Sequence, residues 1–283
     1  MRPMIRITAV MSVALALAAC DQTGSAEVER ALDGVNVIDE TNLSQIMLTS
    51  ADPDEAVAYF RRSSAENPDR IDLRRGLASS LVRAGQYTQG VATWREVVAS
   101  DEATDEDRVE YAGALIRTND WDAAEAQLDT VPPTHETYQR YRLEAMVADS
   151  NREWTRADSF YETAVGLTTT PAGVLNNWGY SKLTRGDHAA AERLFAEAIR
   201  YDPDLFTAKN NLVLARASRG QYTLPLVEMT QVERAQLLHT MALAAIRRGD
   251  VDIGRGLLED AIDTNPQHFE AAVQALRTLE AQG

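Results

Sequence analysis

A small residue recurs along this chain at an almost constant interval. The six positions are Ala56, Gly90, Ala124, Ala157, Ala191 and Gly254. Counted through Pro225, the successive steps are 34, 34, 33, 34, 34 and 29 residues. An interval of this length is typical of stacked helix–turn–helix units. Because each such unit buries its apolar face only against its neighbours, the period predicts an all-α solenoid with an extended concave surface.

Other columns keep the same register. Bulky residues follow the small position by four, at Phe60, Trp94, Leu128, Tyr161, Phe195 and Leu258. Aromatic residues or histidine precede it by three in most copies, at Tyr87, Trp121, Trp154, His188 and Tyr222. A small residue also recurs in the preceding helix, at Ala78, Ala112, Ala145, Gly179 and Ala242. Small residues let two helices approach closely and bulky ones fill the space between pairs, so all these columns, including His188, are interpreted as packing positions.

The clearest copy resembles the tetratricopeptide repeat. Residues 172–205 read AGVLNNWGYSKLTRGDHAAAERLFAEAIRYDPDL. The signature positions of the family hold Trp178, Gly179, Gly186, Ala191, Phe195, Ala198 and Pro203. Lys182 departs from the pattern, since an aromatic residue is usual there. The resemblance implies a right-handed, all-α solenoid of about six to seven helix pairs, closed by a C-terminal capping helix.

Projection of this frame divides the chain into parts. We expect a signal peptide at 1–19, a lipidated cysteine with a flexible tether at 20–36, and a solenoid at 37–283. The expected repeats are 37–70, 71–104, 105–137, 138–171, 172–205, a degenerate unit at 206–234, and 235–268, followed by a cap at 269–283. Glu144 occupies a column that is apolar elsewhere, which leaves open a one-residue slip of register in that unit. Pro225 stands where a small helical residue belongs, so residues 224–230 are predicted to be partly extended or loop, with a local kink.

The amino terminus has the pattern of an export signal. Arg2 and Arg6 precede an apolar stretch at 7–17, which is too short to span a bilayer. The stretch ends in Leu-Ala-Ala followed by Cys20, the single cysteine of the chain. This pattern resembles the lipobox of bacterial lipoproteins, which implies cleavage before Cys20 and attachment of fatty acid such as palmitate to its thiol. The alternative is ordinary signal cleavage after Ala18. Either way the expected location is the bacterial cell envelope, facing the periplasm, with the inner or outer membrane left open.

Composition excludes several function classes. The net charge is −15, whereas a nucleic-acid-binding protein presents a basic surface, so nucleic acid is not an expected partner. The four histidines fall in different units without a second ligand at helical spacing, so no metal site is predicted. There is no phosphate-binding glycine loop and no nucleophile with a partner pattern. We therefore expect a protein without cofactor that is not an enzyme.

The concave groove is the remaining candidate site. In such repeats it is lined by the first helix of each pair, at its second, fifth, sixth, ninth, twelfth and thirteenth positions. The central units place there Asn176, Asn177, Tyr180, Asn210, Asn211 and Leu214, and the earlier units place there Arg75, Arg83, Arg117, Arg142 and Met146. Paired carboxamides can bind an extended peptide through its backbone, and arginines can bind carboxylates. This predicts an electropositive slot for acidic or carboxylate-ended peptides. The alternative is that the asparagines only satisfy neighbouring helices.

The order of features also resembles the TadD-type lipoproteins of tight-adherence (Flp) pilus loci. The shared features are the lipobox, a short acidic tether, a well-kept repeat with Asn-Asn before Trp-Gly, a second Asn-Asn helix, the proline-interrupted stretch, and a last repeat with its cap. The resemblance implies an accessory role in pilus assembly, with a secretin or another pilus component as partner. The alternatives are an adaptor for outer-membrane protein assembly or cell-wall enzyme regulation, and an accessory domain of an envelope enzyme.

Overall fold

The computed structural model describes residues 43–281, and every regular element in that range is a helix. The all-α class predicted from the period is thereby confirmed. The predictions for the signal peptide, Cys20 and the tether fall outside the described residues. The chain divides into two compact units, Met1–Glu102 and Ala103–Gly283.

The first unit contains three complete helices that follow helical residues 43–49. They are α1 (Pro53–Glu66), α2 (Ile71–Arg83) and α3 (Tyr87–Val98). Helix α1 packs on α2, and α2 packs on α3. Asp52 begins this run, because its carboxylate accepts hydrogen bonds from two backbone N–H groups in the first turn of α1, where Pro53 lacks an N–H to satisfy.

Ten helices follow in the second unit. They are α4 (Asp105–Arg117), α5 (Trp121–Leu128), α6 (Tyr138–Ser150), α7 (Trp154–Gly166), α8 (Ala172–Thr184), α9 (His188–Tyr201), α10 (Phe206–Ala217), α11 (Gln231–Arg248), α12 (Val251–Thr264) and α13 (Glu270–Glu280). Each helix packs on its successor, and the first helices α4, α6, α8 and α10 also contact one another in sequence. Neighbour-only contacts of this kind define a solenoid.

The recurrent columns form the core of both units. Ala56, Ala124, Ala157 and Ala191 are fully buried, and so are the bulky side chains four residues later. Gly179 shows why a small residue is needed, because a Cβ atom there would lie 2.6 Å from the ring of Phe195. Helices α8 and α9 therefore pack so closely that the ring of Phe195 lies against the backbone at Gly179.

Helix α6 keeps its register through Glu144. The helix runs without interruption, and Ala145 of the small column is fully buried, so the possible slip does not occur. Glu144 is accommodated by an ion pair, since its carboxylate lies 2.8 Å from Arg140 Nε. The same arginine donates a 2.7 Å hydrogen bond to the Pro132 carbonyl.

The sixth repeat lacks its second helix. Residues 221–230 form no helix, and α11 begins at Gln231, so the predicted non-helical stretch around a buried Pro225 is confirmed. The buried Lys209 of α10 holds this segment, because its ammonium group donates to the Glu228 carbonyl at 3.0 Å and to Glu233 at 3.2 Å.

Candidate partner-binding cavity

A concave cavity of about 480 Å³ lies in the second unit. Its walls come from the first helices α6, α8 and α10 and from the start of α5 and α7. The lining residues are Trp121, Met146, Asp149, Ser150, Trp154, Tyr161, Asn176, Asn177, Tyr180, Ser181, Thr184, Phe206, Thr207, Asn210 and Asn211. The structure therefore brings together the asparagines and the tyrosine that the repeat frame places in the groove.

The four asparagines form a ladder across neighbouring helices. Asn211 Nδ2 donates a 3.0 Å hydrogen bond to Asn176 Oδ1, which joins α10 to α8. Asn210 Oδ1 accepts from Thr240 at 2.7 Å, and Asn177 Nδ2 contacts the sulfur of Met146 at 3.6 Å. Each amide keeps further hydrogen-bonding capacity beyond these bonds. The ladder thus forms hydrogen bonds and contacts with neighbouring helices and can still form hydrogen bonds to a ligand.

Aromatic side chains make up much of the wall. Trp121 and Trp154 are the first residues of α5 and α7, and Phe206 is the first residue of α10. Tyr180 is 55% exposed, whereas Tyr161 is only 2% exposed and forms part of the packed core. An aromatic wall of this kind can bury apolar ligand surface and can also attract a cation over a ring face.

Asp149 is the charged residue of the lining. Its two carboxylate oxygens accept hydrogen bonds from Ser181 Oγ at 2.7 Å and from Tyr161 Oη at 2.9 Å. Burial raises the pKa of Asp149 above its ordinary value of 3.8, and the two hydrogen bonds oppose this rise. The same burial, with the Asp149 charge beside it, raises the pKa of the Tyr161 hydroxyl. Burial thus disfavours the charged form of this carboxylate, and the two hydrogen bonds favour it.

The nearest basic side chains bind a different carboxylate. Asp158 of α7 accepts from Lys182 Nζ at 2.8 Å, from Trp178 Nε1 at 2.7 Å, and from Arg185. Burial opposes ionisation of Asp158, but these hydrogen bonds outweigh it and hold the pKa of the carboxyl below its ordinary value. This cluster explains why a lysine replaces the usual aromatic residue at position 182.

The four predicted groove arginines lie elsewhere. Arg83 of the first unit donates to the carbonyl groups of Met47 and Ala51 at 2.9 Å, so it closes the end of helical residues 43–49. Arg75 donates to the Glu102 carbonyl at 2.9 Å. Arg117 and Arg142 belong to the second unit but do not line the cavity. Burial lowers the pKa of Arg142, and the nearby Arg117 adds to that effect. None of the four arginines lines this cavity, and the electropositive slot on the earlier units stays a prediction.

Sequence reasoning missed Asp149 and gave the tryptophans another role. Asp149 is the twelfth residue of its unit, counted from Tyr138, which is one of the positions expected to face the groove. Trp121 and Trp154 share a column with Tyr87 and His188, which the repeat pattern predicts to be a packing column. A position rule for first helices cannot reveal that second-helix residues also reach the groove.

A family model matches part of the chain. The family model for the tetratricopeptide repeat matches residues 75–134 and 176–224. Two stretches of the chain are therefore similar to tetratricopeptide repeats. The matched model is a repeat module and indicates no enzyme family. No curated protein matches the chain in sequence.

Several solved structures share the fold. A repeat protein from Parabacteroides merdae has a TM-score of 0.56 at 11% identity, covering 84% of this chain and 96% of that one. A chain of the APC/C hetero-tetramer Cut9–Hcn1 has a TM-score of 0.59 at 12% identity, covering 83% and 48%, so this chain spans about half of its length. Human IFIT1 has a TM-score of 0.58 at 14% identity, covering 81% and 59%. These likenesses establish an all-α solenoid of the tetratricopeptide type.

Two features are absent from the described range. Within residues 43–281, no three or more histidine, cysteine, aspartate or glutamate side chains are grouped so that they could hold a metal ion. The helices of that same range include none with the length and apolar character needed to cross a bilayer.

Proposed function

We propose that this protein is a non-enzymatic, membrane-anchored scaffold that binds an extended segment of a partner protein in the cavity of the second unit. The observation that carries the proposal is the convergence of Asn176, Asn177, Asn210, Asn211 and Tyr180 on one concave surface. A cavity of about 480 Å³ also lies within the usual range for ligand sites, which is roughly 300–1,000 Å³.

The amide ladder suits a peptide backbone. A carboxamide offers both donor and acceptor, as a peptide unit does, so it can donate to a backbone C=O and accept from a backbone N–H of the bound segment. The Asn211–Asn176 hydrogen bond fixes the ladder before a partner arrives. Such preorganisation lowers the ordering cost of binding. The aromatic side chains then supply apolar contact area for the side chains of the bound segment.

The anchor would act by proximity. A lipid on Cys20 with a tether of about 16 residues would keep the solenoid within roughly 50 Å of the membrane surface. Confinement to that layer raises the effective concentration of partner and receptor, so a modest affinity suffices. This part of the proposal is supported by the lipobox-like sequence before Cys20.

For the cellular role, we favour assembly of a tight-adherence (Flp) pilus, with a secretin or another pilus component as partner. The support is the order of features along the chain, above all the two Asn-Asn helices and the proline-interrupted stretch between repeats. An adaptor for another envelope machine is the second candidate, because the same cavity would serve any partner with an extended segment.

The test of partner binding is a site-specific photocrosslink in cells. Tyr180 is replaced by p-benzoylphenylalanine, since this side chain is 55% exposed and lines the cavity. Crosslinks to a pilus component support the pilus role, and crosslinks to an assembly factor or cell-wall enzyme support the adaptor role. The matched control carries the crosslinker at Glu162, which is exposed on the adjacent second helix and does not line the cavity. Equal crosslinking from both positions, or none from Tyr180, would refute binding in the cavity.

The test of anchoring is Cys20→Ser. We expect loss of incorporation of an alkyne-labelled fatty acid, recovery of the protein outside the membrane fraction, and loss of function with an unchanged helical circular dichroism spectrum. Full complementation of a deletion by the unlipidated form would show that tethering is irrelevant.

A further inference from the structure

The cavity carries an unpaired negative charge. Asp149 accepts hydrogen bonds from two hydroxyl groups only, and among residues 43–281 no basic side chain forms an ion pair with it. Each of its oxygens has a further lone pair available. A carboxylate that is partly removed from water without a cation is unfavourable unless a partner supplies one.

The neighbouring cations form no ion pair with Asp149, although the charge of Arg185 acts on it at a distance and opposes the rise of its pKa. Lys182 and Arg185 are both engaged by Asp158, and the Arg185 guanidinium also lies 5.4 Å from the ring centre of Trp154. Arg142, seven residues earlier on α6, does not reach the cavity wall. No lysine, arginine or histidine belongs to the described lining. The site therefore presents one negative charge and no positive charge of its own.

The surrounding wall is of the type that attracts cations. Trp121, Trp154 and Tyr180 line the same cavity as Asp149. Their π faces attract ammonium and guanidinium groups, most strongly for tryptophan, and their apolar surface accommodates the methylene stem of a long basic side chain. An acidic ligand would face repulsion from Asp149 without any compensating donor of positive charge.

We propose that the cavity is a receptor for a lysine or arginine side chain on the extended partner segment. The cationic head lies against Asp149, the stem packs along Trp121, Trp154 and Tyr180, and Asn176 and Asn211 bind the adjacent backbone. This rests on the proposed peptide-binding function and names its ligand class. Its polarity is opposite to that of the slot predicted from the arginines of the earlier units, which is a separate surface. The net charge of −15 favours the same class of partner at long range.

The test uses a random dodecapeptide library displayed on phage and selected on the purified soluble body. Four proteins are compared: the natural sequence, Asp149→Asn, the matched control Asp260→Asn, and the double variant Asn176→Ala/Asn211→Ala. Asp260 is exposed on α12 and does not line the cavity. The natural protein and Asp260→Asn should enrich peptides with lysine or arginine at one fixed position, and Asp149→Asn should lose that preference.

The outcomes separate the two proposals. Enrichment of peptides without a preference for lysine or arginine, or an equal preference in Asp149→Asn, would overturn the cationic receptor while leaving peptide binding intact. Failure of the natural protein to enrich any peptide above the double asparagine variant would overturn both.

A titration measures how much the cationic side chain of the peptide contributes to its affinity. A selected peptide and its lysine-to-norleucine analogue are added while tryptophan fluorescence is followed, since Trp121 and Trp154 lie in the cavity. The analogue, and separately Asp149→Asn, should each bind about tenfold more weakly or worse. Tyr180→Leu, which changes an exposed side chain and leaves the core intact, should weaken binding about threefold or more. Equal affinity of peptide and analogue would contradict the proposal.

Discussion

At the scale of single residues, the close approach at Gly179 sets a measurable constraint. A methyl group at this position would lie 2.6 Å from the fully buried ring of Phe195, so the ring or a helix must shift. We expect Gly179→Ala to lower the free energy of unfolding by about 1–3 kcal/mol, despite the better helix propensity of alanine. Urea denaturation followed by circular dichroism measures the change.

The matched control lies on the same helix. Gly173 also belongs to α8, but a Cβ atom there would meet nothing within 4 Å. Gly173→Ala should therefore leave the stability unchanged or raise it by up to about 1 kcal/mol. In addition, Phe195→Leu should cost less in the Gly179→Ala background than alone, because the smaller side chain relieves the clash. Similar losses for both alanine variants would show that contact with Phe195 is not the cause.

Asp149 should make the stability of the protein depend on pH. Burial places its pKa in the folded protein above the ordinary value of 3.8. A raised carboxyl pKa means that its contribution to stability is fully present below about pH 4 and is lost as the pH rises through the folded pKa. The midpoint of thermal unfolding of Asp149→Asn, minus that of the natural protein, should therefore become more positive between about pH 4 and about pH 7. Asp260→Asn should show no such trend, and a pH-independent difference for Asp149→Asn would refute the pKa shift.

At the scale of elements, the repeat columns made the helical fold predictable, and the cavity was predictable only in part. The residue types of Ala157 and Tyr161 recur in every unit except the sixth, because each regular unit packs its two helices in the same way. The asparagines on α8 and α10 could be placed in the groove from their position in a first helix. The same position rule covers Asp149, the twelfth residue of its unit. It does not cover Trp154, which begins a second helix and reaches the cavity only because successive hairpins meet there.

Lys209 is a second element-level feature that the pattern did not predict. Helix α10 has no second helix to pack on, and the irregular segment 221–230 follows it instead. The side chain of Lys209 is only 2% exposed and holds that segment in place. Its ammonium group donates hydrogen bonds to the Glu228 carbonyl and to the Glu233 carboxylate. The buried lysine thus replaces, with polar bonds, the packing that a regular repeat obtains from apolar residues.

We expect Lys209→Ala to destabilise the protein by about 2–4 kcal/mol, because it opens a cavity and leaves the Glu228 carbonyl and Glu233 without their donor. Limited proteolysis should show earlier cleavage within residues 221–230, which separates local release of the segment from general loosening. Arg200→Ala is the control, since that side chain is 75% exposed, and it should change stability by no more than about 0.5 kcal/mol. A stability loss without faster cleavage at 221–230 would contradict this role for Lys209.

At the scale of the whole molecule, a net charge of −15 and a cavity with a single carboxylate act in the same direction on a cationic segment. The long-range field accelerates encounter and is screened by salt, whereas the short-range contacts with Asp149 and the tryptophans decide how long the segment stays. The two effects can be separated kinetically, because rim and body charges change association rates and buried contacts change dissociation rates.

The association rate constant of a selected lysine-containing peptide should therefore fall by about tenfold when ionic strength is raised from about 0.02 M to about 0.5 M, with a much smaller change in the dissociation rate constant. Asp149→Asn should raise the dissociation rate constant and change the association rate constant much less. The substitution leaves nearly all of the negative charge of the protein in place but removes the partner of the bound cation. Stopped-flow measurement of tryptophan fluorescence gives both constants, and the norleucine analogue is the control for the salt effect. An association rate that does not respond to salt would mean that the acidic body contributes nothing to capture of the partner, whatever the cavity itself prefers.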